Sequence, residues 1–97
     1  MSDVFDALAH PVRRKILKLL RHGPLSAGVL AESFDLAKPT LSGHFTVLKN
    51  ADLVTSERKG TSIIYRLNMS VLEEAMAALM SIVGSAREIP SPLGDET

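Results

Sequence analysis

Ninety-seven residues, 45% apolar and 23% charged, describe one small globular domain with a modest core rather than a disordered chain. Eleven basic and eleven acidic residues cancel, and cysteine is absent, which excludes disulfides, thiolate chemistry and cysteine-based metal sites. The charge is nevertheless segregated: residues 11–66 hold ten Lys and Arg against four Asp and Glu, so the acid lies at the two ends and the middle suits an anionic partner. Charged residues that merely solvate helix surfaces would give the same count.

The start, MSDVFDALAH, is acidic and lacks a continuous apolar region, so no secretory signal is read there and a cytoplasmic protein is expected. Residues 3–9 read as a short helix with Val4, Phe5 and Leu8 on one side. Pro11 opens a second helix reaching about His22, with Val12, Ile16, Leu19 and Leu20 at helical spacing and a stop at Gly23 and Pro24. Leu25 offers a short bridging strand. Ser26 then caps a third helix expected to reach Phe34, with Val29 and Leu30 facing inward.

The fourth helix, KPTLSGHFTVLKN, carries Pro39 in its first turn, where a missing N–H costs little. Leu41, Phe45 and Leu48 form its buried stripe. The opposite sector holds Pro39, Gly43, Thr46 and Asn50, flanked by Thr40, Ser42, Val47 and Lys49, and is almost free of bulky charge. A glycine in mid-helix weakens it by about 1 kcal/mol relative to alanine. Clearance for another surface explains the choice, and the major groove of B-DNA admits one helix. Packing of the same face within the chain is the competing explanation. On the DNA reading, Thr40, Ser42, Gly43 and Thr46 meet base edges, while Lys38, Lys49, Arg58 and Lys59 contact phosphates. His44, between the buried and exposed sectors, is a further phosphate candidate or a partly buried histidine bonded to backbone or solvent.

After Asp52 the period becomes alternating. LVTSER and TSIIYRL flank Lys59 and Gly60 as a hairpin, with Ile63, Tyr65 and Leu67 on one face and a basic tip at Arg58, Lys59 and Gly60. Ser70 and Glu73 fit a capping box for a last helix running to about Ala86. The fold class is therefore mainly α with a small β-hairpin, in the α-α-α-α-β-β-α order of a winged helix-turn-helix. Residues 1–87 form the DNA-binding and dimerisation domain, and 88–97 a flexible C-terminal tail. The last helix is apolar around most of its circumference, more than so short a chain can cover. A two-fold homodimer through Leu72, Met76, Leu79, Met80 and Val83, joined by Val4, Phe5 and Leu8, would bury it and place two reading helices about 34 Å apart, as an inverted repeat requires.

ALAHPVRRKILKLL, AGVLAESFDLAKPTLSGHFTVLKNADLV and GTSIIYRLN, in that order, resemble the ArsR-type winged-helix repressors of bacteria. KPTLSGHFTVLK and the short last helix look most like the SdpR-type autorepressor branch. The resemblance implies a homodimeric repressor of a palindromic operator, often its own promoter, released by an inducer or a membrane partner. It also exposes a departure. Where arsenic and cadmium sensors of that family place a cysteine pair, this chain reads VLAESF, and its last helix lacks the histidines of the zinc and nickel sensors. His10, His22 and His44 fall on separate elements and suggest no common site. No metal, cofactor or catalytic residue is assigned: Ser42 and His44, two apart on a helix, do not face each other. A winged-helix module that grips a polypeptide instead of DNA is the alternative, to be separated by salt-dependent DNA affinity.

Overall fold

The computed structural model describes residues 2–88, with side-chain environments for residues 3–84. Helix α1 (Ser2–Leu8) is followed by α2 (Pro11–Leu20), strand β1 (Leu25–Ser26), α3 (Ala27–Ala31), α4 (Lys38–Asn50), β2 (Val54–Lys59), β3 (Ser62–Leu67) and α5 (Met69–Glu88). Of the tail expected at 88–97, Glu88 belongs to α5 and residues 89–97 lie outside the described residues.

Local chemistry accounts for most boundaries. His10 caps α2, its Nδ1 accepting from the Val12 N–H at 3.1 Å, and Pro11 follows at the first helical position. Gly23, at φ 135°, ends the turn after α2 in a conformation that a Cβ would strain. Ser26 Oγ accepts from the Val29 N–H and starts α3. This helix is shorter than its spacing predicts. It breaks up after Ala31 into turn bonds from Ser33 to Leu30 and from Phe34 to Ala31, and Lys15 Nζ donates to the Ser33 carbonyl at 2.8 Å. Val29, expected inside, is 47% exposed, and Leu30 carries α3 into the core with Ala27 and Ala31 packed at its edge. Asp52, at φ 60°, reverses the chain after α4 so that the Leu53 N–H reaches the Leu48 carbonyl.

The hairpin expected from the alternating pattern becomes part of a three-stranded antiparallel sheet in the order β1-β3-β2. Leu25 pairs with Tyr65 and Ser26 with Ile64, while β2 and β3 run in register from Val54–Leu67 to Lys59–Ser62. The turn therefore sits at residues 60–61, with Gly60 at φ 62°. Helix α5 begins at Met69, so Ser70 lies inside it rather than capping it. The preceding Asn68 is pinned by its N–H to the Leu53 carbonyl at 2.8 Å, and the helix starts two residues before the point at which a Ser70 cap would start it.

One core joins these elements. Ile16, Leu30, Leu48 and Leu53 are fully buried, with Leu41, Phe45 and Tyr65 around them. The Phe45 and Tyr65 rings stack at 4.4 Å and clamp α4 to β3, and burial raises the Tyr65 pKa. Leu48→Ala should lower unfolding stability by roughly 2–5 kcal/mol in urea titrations, because its cavity opens between α4 and the sheet.

Candidate nucleic-acid interface

Because Leu41, Phe45 and Leu48 are all buried, the orientation of α4 is fixed, and Thr40, Ser42, Gly43 and Thr46 are exposed on its other side. A Cβ built on Gly43 meets nothing within 4 Å. Packing inside the chain therefore does not explain this glycine. Thr46 Oγ1 donates to the Ser42 carbonyl at 3.1 Å, which leaves its methyl group and lone pairs to face outward. Val47 is 36% exposed on the flank of the same face, where the helical spacing places it.

Lys38, Lys49, Arg58 and Lys59 are exposed, and among the described residues none of them pairs with a carboxylate. The one ion pair found there joins Arg66 to Glu57 at 3.7 Å, both about half exposed, and such a pair adds little stability. It leaves Arg58 and Lys59 as the unpaired cations of the hairpin tip. Lys38 and Pro39 stand at the N-terminus of α4, the positive end of its dipole.

His44 differs from expectation. Its Nδ1 lies 3.1 Å from Arg13 Nη1, and its ring centroid is 4.5 Å from that of His10, so two of the three histidines converge although they belong to different elements. Burial, then His10, then Arg13 lower its pKa below the ordinary 6.5. No group of three His, Cys, Asp or Glu side chains placed to hold a metal occurs among the described residues. His22 follows α2, where its Nε2 accepts from Arg21 Nε at 3.3 Å.

Of the residues expected at a dimer face, Met76, Leu79, Met80 and Val83 are exposed. Phe5, Leu8 and Leu72 are half-buried. Val4 is 6% exposed, packed into the chain's own core beside Ala7, and so is withdrawn from any contact with a partner. Ile82, absent from that expectation, is the most open of the large apolar side chains among the described residues, at 73%. Val71, Leu72 and Ala75 seat the first turns of α5 on the core; past them the helix presents apolar side chains to solvent. A groove of about 840 Å³ runs beside this seat, lined by Leu8, Leu19, Leu67, Met69 and Leu72 and edged by Arg14 and Lys18. No helix among the described residues is long and apolar enough to cross a membrane.

A short helix, a turn, a longer helix with an uncluttered face and a basic hairpin together define a winged helix-turn-helix domain. A family model described as a helix-turn-helix domain matches residues 8–57. The chain is 41% identical over 83 residues to the transcriptional repressor SdpR of Bacillus subtilis (strain 168), an alignment covering 86% of this chain and 92% of that protein. Its fold is similar to the crystal structure of an ArsR family transcriptional regulator, with TM-score 0.76 and 27% identity over 89% of this chain and 91% of that one. It is also similar to the transcriptional repressor BigR from Xylella fastidiosa, with TM-score 0.67 and 31% identity over 84% of this chain and 83% of that one. The chain belongs to the ArsR family of winged-helix transcriptional repressors and is related to SdpR within it.

Proposed function

We propose that this protein is a cytoplasmic homodimeric repressor that binds an inverted-repeat operator, its own promoter included, with α4 in the major groove. The open space at Gly43 carries the reading, because no contact among the described residues uses it. Thr40, Ser42 and Thr46 read base edges beside it. Thr46, whose proton is committed to Ser42, acts there as an acceptor or through its methyl group. Lys38, His44, Lys49, Arg58 and Lys59 contact phosphates and fix the register. The exposed apolar side of α5, continued by Phe5 and Leu8, supplies the dimer face. Nothing in this reading needs a cofactor, and the signal that releases DNA is an inducer or a protein partner.

The test is binding to an inverted repeat from the protein's own upstream region and to a scrambled duplex of the same length, at two salt concentrations. Affinity should fall by about a thousandfold or more between about 50 and 200 mM salt, and the inverted repeat should be preferred. Equal, salt-insensitive binding of both duplexes would remove the reading and leave a polypeptide-gripping module. Arg58→Ala or Lys59→Ala should weaken binding to every sequence alike and reduce the salt slope by about 1 for each phosphate no longer neutralised.

A further inference from the structure

Three hydrogen bonds leave one half-buried guanidinium. Arg13 Nε donates to the Ala7 carbonyl at 2.9 Å and Nη2 to the Asp6 carbonyl at 3.0 Å, both in the last turn of α1, where helix carbonyls lack i+4 partners and the Asp6 carbonyl otherwise accepts only the turn bond from the Ala9 N–H at 3.1 Å. Its third arm, Nη1, reaches His44 Nδ1 on α4 at 3.1 Å. Arg14 adds a fourth bond, to the Leu8 carbonyl at 2.9 Å, and so completes the cap on α1. One side chain thus ties the helix proposed to face the partner to the helix proposed to enter DNA.

We propose that Arg13 is the positioning residue of α4: by spanning the α1 carbonyls and His44 it fixes the angle at which α4 meets the operator. The inference rests on the proposed DNA-binding role of α4. An arginine has no lone pair to offer, so Nδ1 of His44 must be the acceptor, and the proton of the neutral ring resides on Nε2. That N–H, at the far edge of the ring, is the group left to donate to a phosphate. His10 is held in the same tautomer, since its Nδ1 accepts from the Val12 N–H. Acid disturbs the whole arrangement. A protonated His44 carries a hydrogen on Nδ1, aimed at a donor, and its charge faces Arg13 from α2 and His10 from the turn before it, the two groups that already lower its pKa. The folded state therefore binds this proton less readily than the unfolded chain. Its contribution to stability is complete above the ordinary value of 6.5 and is lost as pH falls through the lowered one.

Operator affinity of the wild type, Arg13→Lys, His44→Ala and the double variant is measured at about pH 7.5 and about pH 5.8, bracketing the ordinary histidine range. In parallel, ¹⁵N NMR of the free protein records the His44 tautomer. Arg13→Lys keeps the charge but loses the fork, and should weaken binding about tenfold; His44→Ala should do the same, and the double variant no more than about tenfold. Wild-type binding should weaken in acid beyond the change seen in His44→Ala, which lacks only the ring in question. Single effects that multiply to about a hundredfold would overturn the proposal. So would acid that tightens wild-type binding, the behaviour of an unrestrained imidazolium on a phosphate. If the wild type binds no operator, the DNA reading fails by itself, and the tautomer still decides the role of Arg13. A proton on Nε2 that becomes shared between the nitrogens in Arg13→Lys supports it, and a tautomer indifferent to the substitution refutes it.

Discussion

Gly43→Glu is expected to leave the fold and the oligomer unchanged while operator affinity falls by more than about a hundredfold, or roughly 3 kcal/mol. The two effects separate because Gly43 has open space where a side chain would go, so the glutamate displaces nothing inside the protein. Glutamate is also the better helix former, and thermal unfolding should show a stability equal to the parent's or higher by up to about 1 kcal/mol. In the groove the same side chain would occupy the volume of base edges and set a carboxylate against phosphates. Circular dichroism and fluorescence anisotropy on the same preparation distinguish the outcomes. A variant that unfolds would locate the glycine's role inside the protein; one that binds normally would remove α4 from the groove.

The second large effect concerns α5. Leu79→Asp combined with Ile82→Asp should turn the proposed dimer into a folded monomer in sedimentation experiments, because both side chains are exposed and neither supports the core. Two carboxylates facing a symmetry mate across an apolar interface would lack partners and repel each other. Loss of the dimer also separates the two half-sites, and linked binding is commonly worth about 10²–10⁴ in affinity, so operator binding should fall by about a thousandfold. A dimer that persists with parental affinity would place the interface elsewhere, along the groove beside Leu19 and Met69 for example.

These two expectations draw on different parts of what the sequence reveals. Helical periodicity is a local property, and it is strong in α4, where Leu41, Phe45 and Leu48 define the buried stripe and, by exclusion, the face carrying Gly43. The alternating pattern of residues 53–67 marks β2 and β3 equally well. Weak or competing signals misplace the shorter features. Nothing in AESFD names the end of α3, which is settled by Lys15 reaching across from α2 to the Ser33 carbonyl. Ser70 and Glu73 resemble a cap, but Asn68 is already anchored to the Leu53 carbonyl and α5 starts before the motif.

Tertiary convergence is harder still. His10 and His44 are 34 positions apart, and only the packing of α1 and α2 on α4 brings their rings within 4.5 Å. Val4 shows the opposite failure. Its spacing with Phe5 and Leu8 suggests one outward apolar stripe, yet the short α1 turns Val4 and Ala7 into the core and leaves Phe5 and Leu8 at the margin. An apolar residue reports that it will be covered; the fold decides whether the cover comes from its own chain.

The central claim, a dimer placing two copies of α4 in successive major grooves, is tested most directly by hydroxyl-radical footprinting on the inverted repeat. Two protected stretches on one face of the duplex, with centres about one helical turn or a whole multiple of it apart, are predicted. A single protected stretch, or uniform protection without register, would contradict it.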